Sequence, residues 1–130
     1  MILLDTDICI ELLRGNKKII ERRKNYDGDV AICFMTVAEL YYGAEISTKV
    51  NENKNLIEIF LLTIQIIQTD NEILKRFGEL KARLKRSSDL LPDADIMIAA
   101  TSLVKAEKLI TRNIKHFSRF EELKIENWAK

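Results

Sequence analysis

Apolar residues along the chain fall into short runs alternating with longer stretches of helical spacing. "ILL", ending at Asp5, reads as a buried strand. "TDICIELLRGN" follows as a helix, with Thr6 or Asp7 as its cap and "GN" as its stop. A charged helical segment, "KKIIERRKN", leads through "YDGD" into the β-branched run "VAICF", a second strand. "TVAELYYGAEI" opens with Thr36 and carries Glu39 three positions on, the capping-box spacing, which predicts a helix starting there. Residues 53–63 predict a helix buried on one face, and "IQIIQT" a third strand. Thr69 or Asp70 caps a long charged helix in which Ile73, Leu74, Phe77, Leu80 and Leu84 follow the helical repeat. "LLPDADIMIAAT" begins the next helix, with Asp93 and Asp95 at its mouth, and this runs to about Lys105. "KLITRN" and a short "LKIEN" are the last two strands.

Short apolar strands without strict alternation, interleaved with helices, predict an α/β fold: a parallel sheet of four or five short strands covered by helices on both faces. The 130 residues suit a single domain, 1–130, with no repeat or linker to divide it. With 21 Lys and Arg against 20 Asp and Glu, no whole-molecule field announces a nucleic-acid or membrane partner, so any such partner needs a local patch. Cys9 and Cys33 lie inside apolar segments without metal-type spacing, which favours buried free thiols in a reducing compartment over a disulfide. The longest nearly apolar stretch, "IFLLTIQII", is half the length of a spanning helix, and the N-terminus lacks a leader-like pattern. A cytoplasmic protein with no membrane association is expected.

In a doubly wound sheet, ligands bind beyond the carboxyl ends of the strands where strand order reverses. That rule ranks the polar residues. Asp5 follows strand one, Asn113 follows the "LIT" strand with Thr111 before it, Glu39 lies one turn into the helix after strand two, and Asp93 and Asp95 open a later helix. Two carboxylates about 5 Å apart repel by roughly 3 kcal/mol at an effective dielectric near 20, so gathering three requires compensation. A divalent cation supplies it. Carboxylates, an amide oxygen and water suit Mg²⁺ or Mn²⁺ over Zn²⁺, and such an ion can activate water and neutralise a leaving oxygen in phosphodiester hydrolysis. Each residue also has a purely structural use. Glu39 can complete a capping box with Thr36, Asp93 can cap its helix, and Asp95 gains about 0.3 to 1 kcal/mol from the helix dipole. The single His116 has no sequence partner and reads as a surface or packing residue, while Tyr41 and Tyr42 fit core packing better than base stacking.

"LLDTDICIELL", "TVAELYYG", "DADIMIAATSL" and "LITRNIKHF", in this order and spacing, resemble the PIN-domain ribonucleases, most closely the VapC-type toxins of toxin-antitoxin pairs. The resemblance covers nearly the whole chain. It implies a PIN-like parallel sheet flanked by helices, a homodimer, Mg²⁺ or Mn²⁺ dependence, endonucleolytic cleavage of RNA, and a small DNA-binding antitoxin that blocks the site. The family's acids fall on Asp5, Glu39 and Asp95, and its fourth position, often Asp, falls on Asn113. Thr6, Asp7 and Thr111 look like supporting positions behind the ligands, with Asp93 auxiliary. Among cations that could hold RNA phosphates, Arg112 and Lys115 rank first because they flank Asn113, followed by Arg14, Lys17, Lys18 and the cluster at 81–86. Two rivals stand beside this reading. A receiver-like Mg²⁺-binding signalling domain would want adjacent acids after strand one, where Thr6 separates Asp5 from Asp7. A PIN-like module that binds RNA or protein without cutting would leave the acids without a task.

Overall fold

A computed structural model describes all residues, 1–130. Five strands, β1 (Ile2–Leu4), β2 (Val30–Cys33), β3 (Gln65–Ile67), β4 (Lys108–Ile110) and β5 (Ile125–Glu126), form one sheet in the order β3-β2-β1-β4-β5. Every pairing is parallel, with Leu3 opposite Ala31 on one side and Leu109 on the other. Parallel strands need crossovers, and seven helices provide them: α1 (Thr6–Leu13), α2 (Lys17–Asn25), α3 (Phe34–Glu45), α4 (Val50–Leu61), α5 (Asn71–Arg86), α6 (Asp93–Lys105) and α7 (Ile114–Phe117).

Period-two alternation within the strands divides the core between the two faces of the sheet. Leu3, Ala31, Cys33, Ile67 and Leu109 pack with Ile73, Leu80 and Leu84 of α5 and Ile96, Ala99 and Ala100 of α6. Ile2, Leu4, Ile32 and Ile110 face the other way, against Ile8 and Cys9 of α1, Ile19 of α2, Leu40 and Ala44 of α3 and Ile57 and Phe60 of α4. Burial on both sides explains why the strands read as continuous apolar runs. Both cysteines are free and buried.

Several boundaries depart from the sequence expectation. The cap of α1 is Asp5, not Thr6 or Asp7, its carboxylate accepting the Thr6 N–H at 2.8 Å. Helix α3 begins at Phe34, with the Cys33 thiol accepting the Met35 N–H at 3.4 Å, so Thr36 is not a cap and the Thr36–Glu39 capping box does not form. Both side chains are thereby free for other contacts. Residues 114–117 fold as the short helix α7, and Tyr42 is largely solvent-facing where core packing was expected.

Candidate active site

The chain leaves β1 toward β2 and β3 on one side and returns through α5 and α6 to β4 on the other, so strand order reverses between β1 and β4. The carboxyl ends of those two strands flank the crevice where ligands settle in sheets of this kind. Asp5 stands there. Its N–H donates to the Ile110 carbonyl at 2.8 Å, which ties it to the end of β4. Thr111, the next residue of that strand end, donates its hydroxyl to Asp5 Oδ2 at 2.7 Å and receives the Asn113 N–H at 2.9 Å.

Asp5 is 5% exposed. Burial, then the negative charge of Asp7, push its carboxyl up to about 7, with a smaller push from Asp95; the Thr111 hydroxyl and the Thr6 N–H pull the other way. Asp7 is also raised, chiefly by burial, although the Arg112 N–H donates to its Oδ2 at 3.1 Å. Its Oδ1 is buried with no hydrogen-bond partner. Glu39 is raised by burial and by the charges of Asp95 and Asp7, against one hydrogen bond from the Thr6 hydroxyl at 2.6 Å. That hydroxyl also lies 3.0 Å from the Thr36 hydroxyl, so the buried Thr36 steadies the same pair. Asp95, in the first turn of α6, completes the group.

Asp5, Glu39 and Asp95 make no ion pair with any Lys or Arg, and no three Asp, Glu, His or Cys side chains close on a common point. The charges of Asp7 and Asp95 raise the proton affinities of Asp5 and Glu39, and the only cationic side chain that acts against this is Arg112, on Asp7. Asp93 sits apart from this set: its carboxylate pairs with Lys81 of α5 at 2.9 Å, and the N-cap of α6 is Pro92, so it is not the cap that the sequence suggested. His116 was read as partnerless, but its Nδ1 lies 3.1 Å from Asp95 Oδ2 and 2.8 Å from Asn113 Nδ2. A lone histidine 21 positions from the acid it meets carries no spacing signal, and only the turn into α7 brings the two together. Arg112 bonds Glu11 at 2.9 Å and Arg14 lies 3.6 Å from the same carboxylate, whereas Lys115 makes no ion pair. Beside Glu39 a groove of about 310 Å³ runs between α1, α3 and α4, lined by Ile10, Leu13, Arg14, Gly43 and Leu56 among others.

A five-stranded parallel sheet with acids gathered at its switch point is the arrangement of the PIN-domain class. The chain belongs to the PIN domain family, whose pattern matches residues 2–123. It is 35% identical to Ribonuclease VapC2 of Haemophilus influenzae, over 98% of this chain and 97% of that protein. It is 30% identical to the tRNA(fMet)-specific endonuclease VapC of Shigella flexneri, with the same coverage. Among solved structures it resembles VapBC2 from Rickettsia felis bound to a promoter DNA fragment, with a TM-score of 0.91, 30% identity and coverage of 98% of this chain and 99% of that one. DNA-bound VapBC from Salmonella typhimurium matches with the same TM-score at 28% identity, covering 98% and 97%.

Proposed function

We propose that this chain is a divalent-metal-dependent endoribonuclease and the toxin of a VapBC-type pair. The observation that carries the reading is the gathering of Asp5, Asp7, Glu39 and Asp95 at the switch point, countered only by Arg112 beside Asp7, with a buried Asp7 oxygen lacking any partner. Like charges held together with so little counter-charge are poised for a cation, and an oxygen-rich donor set suits Mg²⁺ or Mn²⁺. Asp5, Asp95 and Glu39 would hold the ion, directly or through waters. When bound, the ion supplies charge neutralisation at the phosphodiester and lowers the pKa of a water. Glu39 then serves as the base that orients and deprotonates the attacking water, its raised proton affinity matching that task. Thr6 and Thr111 keep Glu39 and Asp5 in place, and Asn113 offers a neutral amide where another acid would add charge. Lys115, free of ion pairs, is the readiest phosphate contact; Arg112 and Arg14 must first leave Glu11.

The partner is a small DNA-binding antitoxin, a reading supported by the relatives solved as VapBC complexes on DNA. The groove beside Glu39 is where such a partner would cover apolar residues and that acid at once. The chain acts as a homodimer in the cytoplasm. Exposed Tyr42, Ile46, Ile59 and Leu62 on α3 and at α4 and its C-terminus offer surface for the second copy, and the free thiols fit a reducing compartment.

Incubating antitoxin-free protein with structured RNAs, transfer RNA included, tests the reading. Cleavage is expected with Mg²⁺ or Mn²⁺, abolished by EDTA and restored by fresh metal, and Asp95→Asn should lower it at least about a hundredfold with the circular dichroism spectrum unchanged. Cleavage that persists in EDTA would remove the metal from the reaction, and no cleavage under any ion would favour the non-cutting interaction module.

A further inference from the structure

Glu11, near the end of α1, has no part in the reaction above, yet it engages both arginines at the rim of the site. Its Oε1 accepts from Arg112 Nη1 at 2.9 Å and lies 3.6 Å from Arg14 Nη1, while its Oε2 accepts from Asn16 Nδ2 at 3.0 Å. One carboxylate oxygen is flanked by two guanidiniums, the place that a phosphate oxygen takes between paired arginines. The Arg112 N–H donates to Asp7 Oδ2 at 3.1 Å, and Arg14 lines the same groove as Glu39, so these side chains reach from the acids to the groove. The Asn16 hydrogen bond, then the charges of Arg112 and Arg14, hold Glu11 below the usual carboxylate range, and it is ionised at neutral pH. Its side chain is recessed, 16% exposed, whereas that of Arg112 is 48% and that of Arg14 73% exposed. Either guanidinium can turn outward to another anion without disturbing the core, and ion pairs this open to water are weakly held.

We propose that Glu11 is an internal stand-in for an RNA phosphate: it occupies Arg112 and Arg14 in the free protein, and a backbone phosphate of the substrate takes its place when RNA enters the site. The inference rests on the ribonuclease reading above and adds a residue that sets how tightly RNA is held. While Glu11 engages both arginines, Lys115 is the cation beside Asn113 left ready for RNA, on a chain whose net charge of +1 attracts little by itself. Each arginine freed from Glu11 adds a phosphate contact, and with it affinity and salt dependence. Glu11 is therefore a brake on RNA binding. Removing its charge releases the brake, whereas a carboxylate that served only to fix the two arginines in place would weaken binding when lost.

Glu11→Gln tests this, because its amide oxygen can still accept from Asn16 while the charge is gone. Anisotropy of a fluorescein-labelled RNA hairpin with the full, antitoxin-free chain in EDTA, across a salt series, reads affinity without cleavage. The variant should bind at least about fivefold more tightly than the parent at low salt, and its slope of log affinity against log salt should steepen by about 0.7 to 2, as expected for one or two added phosphate contacts. The same substitution in a chain that also carries Arg14→Ala and Arg112→Ala should gain less than about twofold, since no arginine is left to release. Glu121→Gln, which changes the charge equally at an exposed acid beside Arg83 of α5, should also gain less than about twofold. In the parent, which needs no variant to fold, saturating hairpin should move the side-chain ¹³C carboxyl resonance of Glu11 as the arginines leave it. Unchanged or weaker binding by Glu11→Gln, an equal gain from Glu121→Gln, a full gain without the arginines, or an unmoved Glu11 resonance overturns the proposal. Tightened binding by a protein that cuts no RNA with any divalent ion keeps the role of Glu11 and ends the nuclease reading; absence of RNA binding by parent and variant alike, with metal or without, ends both.

Discussion

Asp5 holds α1 in place with one oxygen, which accepts the Thr6 N–H, and holds the end of β4 with the other, which accepts the Thr111 hydroxyl. The same burial that makes these bonds effective raises its carboxyl from 3.8 to about 7. Between those values the folded chain keeps a proton that the unfolded chain has released. Stability therefore falls as pH climbs from about 4 to about 7, and the loss is complete above that. Asp5→Asn removes the charge and keeps one acceptor oxygen. In metal-free protein it should be more stable than the parent at pH 8 by about 1–3 kcal/mol, the difference fading toward pH 4, as followed by urea unfolding at several pH values. A variant weaker than the parent at pH 8 would mean that the carboxylate's hydrogen bonds outweigh its buried charge. Position along the sequence was enough to single out Asp5, because an acid directly after an apolar strand is conspicuous. It hid the residue's capping role, since Thr6 and Asp7 seemed adequate caps.

Among helix starts capped by an oxygen side chain, that of α5 was legible, whereas the Asp5 cap of α1 was missed and Asn16 was read only as the stop of the helix before it. Asp70 accepts the Ile73 N–H at 3.0 Å, as expected, and Asn16 accepts the Ile19 N–H at 3.3 Å as the cap of α2. The start of α3 was misplaced by two residues because a thiol caps it, and sulfur gives no such signal, while the Thr36–Glu39 spacing pointed to a box whose members instead meet Thr6. The final strand was overestimated, since only Ile125 and Glu126 pair with β4. Asp70 offers the clearest test at this scale, for it both caps α5 and pairs with Lys105 at the end of α6 at 2.5 Å. Asp70→Ala should cost about 1–2 kcal/mol by loss of the cap, and Asp70→Asn, which can still cap, less than half of that. Chemical denaturation of the two variants side by side separates cap from ion pair; equal losses would assign the stabilisation to Lys105.

At the scale of the whole molecule, the sheet separates two kinds of helical layer. On one face α5 and α6 pack directly on the sheet around Leu80, Ile96 and Ala99. On the other, four helices share the cover, and α1, α3 and α4 leave the groove whose wall includes Glu39. With a net charge of +1 the molecule has little long-range field to steer a partner, so recognition must depend on contact within such a groove. Gly43 provides a way to fill it without disturbing the packing. It lines the groove from within α3, and a Cβ placed there meets no atom within 4 Å. A larger side chain therefore projects into open space, and replacing glycine inside a helix contributes about 0.5–1 kcal/mol of its own. Gly43→Phe should fold with an equal or higher melting temperature yet bind the antitoxin at least tenfold more weakly, whereas Leu90→Ser, an exposed position away from the groove, should bind as the parent does. Calorimetric titration with the purified antitoxin reads both. Undiminished affinity in the Gly43 variant would move the antitoxin off this groove, leaving the exposed apolar residues of α3 and α4 as the surface to examine next.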